Sequence, residues 1–320
     1  MAVVQGSTAY AGSVSKALIY EIKKGSGFQW KDLVYTEPMV DRKPRQLTRA
    51  EHAGNPIVAN IPNPVAADFT GTPTVTIDGR QLSVTELMVK DSLADLQFKE
   101  TFPEYQPTGT NIDLKTNPAI VKVVMDLIMD ATQAQMNNLH SIGDSALVAN
   151  PLEYYDGFKT LIIADVDATQ IGTPAVLTSG NIIAKVRELV HSVPGRLRYN
   201  PSLKIICSIA DYDLWNEARS NTQNYQPTPD IAGTDTVLQS FGSNLKFVPI
   251  DGMSKDFMFM TIADATPKSN LVQGVWVESD ADTLKVYKIT EADQEWKIIM
   301  RFDLGVQYRS GKDIFYINNV

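Results

Sequence analysis

TNPAIVKVVMDLIMDATQAQMNNLHSIG, residues 116–143, predicts one long helix around which the rest of the chain is arranged. Asn117 can cap the first turn with its side-chain oxygen, and Pro118 suits the first helical position, where an N–H would have no partner. Gly143 can end the helix because glycine adopts a positive φ without steric cost. At about 1.5 Å per residue, a helix over 117–142 is roughly 38 Å long.

The apolar residues of this helix recur at helical spacing and define one stripe. The stripe comprises Ile120, Val124, Leu127, Ile128, Ala131, Ala134, Leu139 and Ile142. The opposite side carries Lys122, Asp126, Asp130, Gln133 and Asn137. We expect the stripe to pack on a sheet, so that Leu127→Asp would bury an unpaired carboxylate at a cost of several kcal/mol.

Composition and charge indicate a globular protein whose main task is not nucleic-acid binding. The chain has 320 residues, 43% of them hydrophobic and 21% charged, which is enough for two domains or for one domain with large excursions. The net charge is −8, whereas nucleic-acid binding depends on clustered Lys and Arg. Residues 1–50 contain eight Lys or Arg and four Asp or Glu, a net +4, so the other 270 residues carry −12.

The cysteine content and the first residues indicate a reducing compartment and no export. Cys207 is the only cysteine, so an internal disulfide is excluded, and its apolar surroundings in KIICSI favour a buried side chain over a nucleophile. The start, MAVVQGSTAY, lacks the features of a signal peptide, and no apolar run reaches the length of a membrane span. We expect a soluble protein that is made in a cytoplasm.

Residues 28–80 are typical of a long extended excursion. Six prolines lie between positions 38 and 73, at 38, 44, 56, 62, 64 and 73, and they forbid a long helix and confine any strand to an edge. After this excursion, residues 83–86 read as a capping box that begins a helix running to about residue 98.

The second half of the chain divides into an α/β unit and a set of strands. Within 160–265 the patterns predict helices over 181–193, 211–219 and 234–241, and strands over 204–209, 245–249 and 257–262. Further strands are predicted over 272–278, 284–289, 296–308 and 314–317. Several of these strands alternate apolar and polar residues, as a sheet covered on one face does, and the long helix is the expected cover.

No motif in the chain indicates catalysis or a cofactor. A phosphate-binding loop, a dinucleotide fingerprint and a nucleophile elbow are all missing from the sequence. His52, His140 and His191 lack partners at metal-ligand spacing. Asp165 and Asp167 could hold a hard cation, but such a pair in a turn is more often a solvated loop. We therefore assign no catalytic, cofactor-binding or metal residues.

The order of the parts resembles the major capsid protein of tailed bacteriophages. DGFKTLI (156–162), soon after the long helix, is similar to the family's glycine-centred start of the axial domain. IIAKVRELVHSVPGRLR (182–198) and KIICSIADYDLWNEA (204–218) are similar to the axial helix, strand and helix, and MRFDLGVQYRSGKDIFYIN (300–318) to the closing peripheral strands. The resemblance covers nearly the whole chain and implies the Hong Kong 97-type capsid fold, of class α+β.

The resemblance also implies a domain plan. It places an N-terminal arm at 1–27, an extended loop at 28–80, a peripheral domain at 81–155 and 266–320 with a spine helix at 117–142, and an axial domain at 156–265.

As to function, the resemblance implies a structural protein, not an enzyme, that assembles into hexamers and pentamers of an icosahedral phage head around double-stranded DNA. The implied partners are the chain itself, a separate scaffolding protein, a portal, decoration proteins, and packaged DNA through weak non-specific contact. The implied location is the virion, after assembly in the host cytoplasm. Arg42, Lys43, Arg45 and Arg49 are the candidate intersubunit contacts.

Two other functions stay open at this point. A bacterial nanocompartment shell of the encapsulin kind would share the fold and enclose an enzyme cargo instead of DNA. A soluble α/β enzyme would use residues 28–80 as a lid over an active site.

Overall fold

Two six-stranded sheets, a two-stranded hairpin and one long helix make up the described part of the chain. The computed structural model describes residues 8–10, 27–39, 43–52, 75–94, 118–220, 236–237, 245–276, 283–287 and 295–319. None of the helices within these ranges is long and apolar enough to cross a membrane.

The strands, in chain order, are β1 (Thr8–Tyr10), β2 (Tyr35–Met39), β3 (Arg45–His52), β4 (Val75–Leu82), β5 (Thr85–Ala94), β6 (Thr169–Gln170), β7 (Leu203–Ser208), β8 (Thr236–Val237), β9 (Lys246–Ile250), β10 (Met258–Ile262), β11 (Leu271–Trp276), β12 (Thr283–Tyr287), β13 (Glu295–Tyr308) and β14 (Phe315–Ile317). The helices are α1 (Pro118–Ile142), α2 (Phe158–Ala164), α3 (Ile182–Ser192), α4 (Gly195–Arg198) and α5 (Ile209–Ser220). Short 3-10 helices span Gln29–Asp32 and Gly311–Asp313.

The first sheet is built around β13, which is 14 residues long. Its strand order is β1-β12-β13-β11-β2, and β5 also pairs with β13. Residues 297–301 of β13 bond to β12 and to β5, so these two strands lie on opposite edges of β13. All pairs in this sheet are antiparallel except β11 with β2.

The helix expected over residues 83–98 is wrong at residues 85–94, which form strand β5, and residues 95–98 lie outside the described residues. All ten residues of β5 pair with β13. Leu87 is buried while Met88 is 43% exposed, which is the alternation of a strand with one covered face. A capping box is a local signal, and pairing with a strand far along the chain overrides it.

The second sheet has the order β6-β14-β10-β7-β9-β8. It contains β14, which the sequence grouped with the C-terminal strands but which pairs with β10 and β6 instead. The expected helix over 234–241 is also wrong at its two described residues, since Thr236 and Val237 form strand β8 against β9.

One hydrophobic core joins α1 to both sheets. It contains Ile128, Met136 and Leu139 of α1, Leu87, Phe302 and Leu304 of the first sheet, and Ile206, Phe259 and Tyr316 from one face of the second sheet. A second core covers the other face of the second sheet, where Ile205, Cys207 and Met260 pack with Val186, Leu189 and Trp215 of helices α3 and α5. The α/β unit that the sequence suggests is separate therefore shares its core with the long helix.

Residues 28–34 lie within the first core, although the sequence places them in an extended excursion. Phe28 and Trp30 are fully buried, and Leu33 and Val34 are nearly so. The prediction of an extended excursion is therefore wrong at residues 28–34, because their large apolar side chains pack in the core.

Within the described chain, the separate two-stranded sheet is formed by β3 and β4. The other domain boundaries stay predictions.

Helix α1 ends where expected, but for a different reason. Within the described residues the glycines with positive φ are Gly172 and Gly252, so Gly143 is not used for its φ. A Cβ at Gly143 would lie 2.4 Å from the Tyr155 carbonyl oxygen. Glycine is needed there because the chain passes too close for any side chain.

The buried face of α1 differs from the stripe that its apolar spacing predicts. Leu127 is 63% exposed, and Ala131 and Ala134 are exposed as well, so the stripe is wrong at these positions. The inward face instead carries Ile128, Thr132, Gln133, Met136, Asn137, Leu139, His140 and Ser141. Hydrophobic spacing cannot orient a helix that has apolar residues on both sides and buries polar residues with fixed partners.

This orientation gives a direct test. We expect Met136→Ala to lower the free energy of unfolding by about 2 to 5 kcal/mol, because it leaves a cavity in the core. Leu127→Ala, the matched control on the exposed side, should change it by less than about 0.5 kcal/mol. Denaturant unfolding of both variants measures the difference, and equal effects would contradict the observed orientation.

Candidate assembly surfaces

Residues 27–34, called here the anchor segment, are bonded to α1 through a buried amide. The Asn137 side chain accepts a hydrogen bond from the Gln29 amide at 3.1 Å and donates one to the Gly27 carbonyl at 3.0 Å. One side chain thus satisfies two backbone groups, as a neighbouring strand would. This explains why a residue expected on the solvent side of the helix is buried.

The anchor segment is bonded equally to the second half of the chain. The Asp251 amide donates to the Gln29 side-chain oxygen at 2.6 Å, and the Ser269 hydroxyl donates to the Leu33 carbonyl at 3.2 Å. Asp251 follows β9, and Ser269 precedes β11. The segment therefore connects α1 with loops at the ends of strands from both sheets.

Trp30 occupies the centre of this connection. Its indole Nε1 donates to the Ser141 hydroxyl at 3.3 Å, and its ring centroid lies 4.9 Å from that of Phe158 on α2. Phe28 contacts His140 edge to face at 5.0 Å between ring centroids. Aromatic pairs at such distances add stability beyond their buried area.

His140 is a fully buried imidazole in this cluster. Its Nδ1 lies 3.0 Å from the Met136 carbonyl oxygen and 2.8 Å from the Tyr155 hydroxyl. Burial lowers the pKa of His140 to about 3, although the bond to the Met136 carbonyl opposes the shift. The ring is therefore neutral at physiological pH.

His140 should make the fold sensitive to acid. Its pKa in the folded chain is about 3 and in the unfolded chain about 6.5, so between these values the unfolded chain binds the extra proton. The contribution of the neutral His140 ring to the free energy of unfolding is fully present above about pH 6.5. Below that pH it falls by at most about 1.4 kcal/mol per pH unit.

The measurement is the pH dependence of the unfolding free energy between pH 7 and pH 4 for wild type and His140→Phe. We expect the variant to lose part of the slope, whatever its stability at pH 7. The exposed His191→Phe is the control. An unchanged slope in His140→Phe would contradict the burial of a neutral ring.

The hairpin of β3 and β4 is the second candidate surface. Its strands are antiparallel, with Arg45 opposite Leu82 and His52 opposite Val75. Near its base, Leu47 and Leu82 pack with Met39 of β2 and with Val272. A two-stranded hairpin is marginally stable alone, so its position depends on such contacts with the body.

Arg80 of β4 fixes one side of the hairpin to the body. Its Nη2 lies 2.5 Å from Asp165 Oδ2 and 3.6 Å from Asp167 Oδ2, and its guanidinium stacks over the Tyr308 ring at 4.7 Å. The Tyr308 hydroxyl donates to the same Asp165 oxygen at 2.7 Å. A Cβ at Gly311 would lie 2.1 Å from Asp165 Oδ2, so only glycine leaves room for this carboxylate.

The carboxylate of Asp165 is held in its charged form by this contact. Burial alone would raise the pKa of Asp165, but hydrogen bonds from Tyr308 and Arg80 outweigh it and leave the pKa below its usual value. Burial and the neighbouring carboxylate raise the pKa of Tyr308. The phenol therefore keeps its proton and donates a hydrogen bond to the carboxylate.

Arg49 of β3 fixes the other strand of the hairpin. It donates to the Ser310 hydroxyl, and its Nη2 lies 3.6 Å from Asp313 Oδ2. Its side chain is 17% exposed. Each strand of the hairpin thus contributes one arginine that binds the body: Arg49 binds the segment between β13 and β14, and Arg80 binds the loop after α2 and the Tyr308 ring at the end of β13.

The four candidate contact residues fall into different environments. Arg42 lies outside the described residues. Lys43 is exposed, and Arg45, 54% exposed at its side chain, forms an ion pair with Glu37. Arg49 is bound within its own chain, to Ser310 and Asp313.

Sequence reasoning missed Arg80, Tyr308 and the buried role of Asp165. The Asp165 side chain is 5% exposed, whereas a solvated loop or a cation site was the expectation. Arg80 and Asp165 are 85 positions apart, and no local spacing signals such a pair.

Removing the two arginines should loosen the hairpin without unfolding the body. In the unassembled chain we expect Arg49→Ala/Arg80→Ala to speed amide hydrogen exchange in β3 and β4, while β13 stays protected. The exposed Arg301→Ala is the control and should leave the hairpin unchanged. Unaltered exchange in the double variant would show that the apolar base alone holds the hairpin.

The sequence matches no protein-family model and no curated protein. Its fold nevertheless matches solved structures over nearly the whole chain. A chain of the satellite phage P4 procapsid, whose structure includes the size determination protein Sid, aligns with a TM-score of 0.57 at 9% identity, covering 95% of this chain and 99% of that one.

Two further structures give the same result. The capsid of a native GTA particle aligns with a TM-score of 0.55 at 11% identity, covering 92% of this chain and 97% of that one. A virus-like particle from Pyrococcus furiosus aligns with a TM-score of 0.51 at 8% identity, covering 95% and 96%. The chain therefore has the Hong Kong 97-type capsid fold, and the α+β class expected from the sequence is confirmed.

Proposed function

We propose that this chain is the major capsid protein of a tailed phage, which assembles into hexamers and pentamers of an icosahedral head around double-stranded DNA. The observation that carries the proposal is the likeness to capsid chains over 95% of this chain and 99% of the P4 procapsid chain. A likeness from end to end includes the hairpin and the long helix, and is not limited to one shared domain.

The build of the subunit supports a structural role. A shell subunit has to pass force between neighbours, which a body with one continuous core can do. The core that joins α1 to both sheets gives such a body. The hairpin, held through few contacts at its base, is suited to reach a neighbouring copy.

The remaining partners and the location follow from this role. A separate scaffolding protein, a portal and decoration proteins would complete the head, and the virion would be its location after assembly in the host cytoplasm. Contact with the packaged DNA would be weak and non-specific, because a net charge of −8 opposes tight binding to phosphate.

Expression and imaging test the assembly directly. Co-expressed with its scaffolding partner, the full chain should form closed particles or capsomer rings that sediment far ahead of a monomer and are visible by negative-stain electron microscopy. A chain that stays a single monodisperse monomer under all these conditions would contradict the proposal.

A nanocompartment shell is the second candidate, favoured by the likeness to the Pyrococcus furiosus virus-like particle at a TM-score of 0.51. The contents of purified particles distinguish the two functions. Packaged double-stranded DNA supports the phage head, and an enclosed protein cargo without DNA supports the nanocompartment.

We further propose that Arg42, Lys43, Arg45 and Arg49 contribute to contacts between subunits. Opposite charge supports this, since residues 51–320 carry a net −12. Lys43, which is exposed, is the better test position, because Arg45 forms an ion pair with Glu37 and Arg49 one with Asp313 of the same chain.

Lys43→Glu should leave the melting temperature of the unassembled chain nearly unchanged, because this side chain is exposed, and should reduce the yield of particles, more strongly at low salt. The control is Lys255→Glu, which makes the same charge change at another exposed lysine. Normal assembly of the first variant at low and moderate salt would contradict this role.

A further inference from the structure

The outer edge of β5 is a long strand edge that no described strand covers. β5 bonds to β13 through one edge, and no described strand pairs with the other. At ten residues it is long for an edge strand, whose usual length is about 5 to 6 residues. Such an edge presents a row of backbone N–H and C=O groups that can accept another strand.

A groove of about 530 Å³ lies between β5 and α1. Five consecutive residues of β5, from 86 to 90, line it. Alternate residues of a strand point to opposite faces, so a groove lined by five in a row reaches the edge of the strand. The other lining residues are Thr132, Gln135, Met136 and Leu139 of α1, Tyr154 of the loop after α1, and Phe302 of β13.

The exposed face of β5 carries a symmetric charge pattern. Glu86, Met88 and Lys90 share that face, with the negative and positive residues each two positions from Met88. An antiparallel partner with the same sequence would bring opposite charges together on both sides of the central methionine. The pattern therefore fits a second copy of this strand.

We propose that β5 pairs antiparallel with β5 of a second copy of this chain, about a two-fold axis at Met88. The proposal rests on the self-assembly proposed above. In this arrangement Glu86 of each copy faces Lys90 of the other, and the two Met88 side chains meet on the axis. The contact uses the same surface on both copies, so it is closed and cannot grow into a fibre.

The register is set by the side chains. A two-fold axis perpendicular to a continuous sheet places the same face of both copies on the same side. Only residues that point to the same face can therefore lie opposite each other. Moving the axis one residue, to Leu87 or Val89, would place Glu86 opposite Met88 or Ser92 and lose both charge pairs. Met88 is thus the centre that pairs Glu86 with Lys90.

The other face of the strand is also self-complementary. With the axis at Met88, Leu87 of one copy lies opposite Val89 of the other, which sets apolar against apolar. These residues point toward α1, and the groove beside Met136 gives the incoming Val89 a space to fill. The groove and the charge pattern therefore both fit a second copy of β5.

Disulfide formation tests the contact. In particles of Met88→Cys, mild oxidation should convert more than half of the chains to dimers on a non-reducing gel. Opposed residues of an antiparallel pair lie about 4.5 to 5.5 Å apart between Cα atoms, within disulfide reach. The native Cys207 is buried and should not compete.

Two variants on the same strand give a control that depends on register. Lys90 of one copy lies four residues along from Lys90 of the other, about 13 Å, so Lys90→Cys alone should not form dimers. Glu86→Cys/Lys90→Cys places cysteines opposite each other and should form them. This double variant also keeps the test valid if Met88→Cys fails to fold.

Charge exchange tests the pairing of Glu86 with Lys90 through the rate of dimer formation. In the Met88→Cys background, Glu86→Lys or Lys90→Glu alone sets like charges at both pairs and should slow dimer formation roughly fivefold. The exchange Glu86→Lys/Lys90→Glu restores opposite charges and should recover the rate.

The outcomes separate this contact from the proposed function. If particles form but neither Met88→Cys nor Glu86→Cys/Lys90→Cys gives dimers, the edge is covered in another way and the β5 contact is overturned. Failure of the charge exchange to recover the rate would overturn the register. If wild-type chains form no particles at all, the proposed function fails first.

Discussion

The double attachment of the anchor segment, residues 27–34, is the constraint on which the arrangement of the subunit depends. One side chain of α1, Asn137, pairs with the segment's backbone, while loops beside the two sheets bind it from the other side. Trp30 fills the space between these supports. Without the segment, α1 and the second sheet would lose the buried residues that lie between them, and a cavity of that size would be costly.

This attachment divides the molecule into a body and a hairpin. The body has a continuous core from α1 through both sheets, so relative motion of its parts would open well-packed contacts. The hairpin is held by a small apolar base and by Arg49 and Arg80, whose ion pairs are partly exposed and therefore cost less to break. A body with one core and a weakly attached hairpin is consistent with the shell role proposed above.

How far the sequence predicted this structure depends on how local each signal was. The bounds of α1, α3, α5 and β13 follow from caps and periodicity within each element, and the sequence placed them within a few residues. β5 was misread because its pairing with β13 is not encoded nearby. The buried face of α1 was misread because Asn137 and His140 are satisfied by partners elsewhere in the chain. The Arg80–Asp165 contact had no local signal at all.

Native-state hydrogen exchange on the unassembled chain tests the central claim that α1 and the second sheet form one body. The slowest amides of α1, within residues 128–141, and those of β10 should open with the same free energy, equal to that of global unfolding. In Trp30→Ala the two sets should separate. If they already differ by more than about 1 kcal/mol in the wild-type chain, the helix and the second sheet unfold independently, and the anchor segment does not join them.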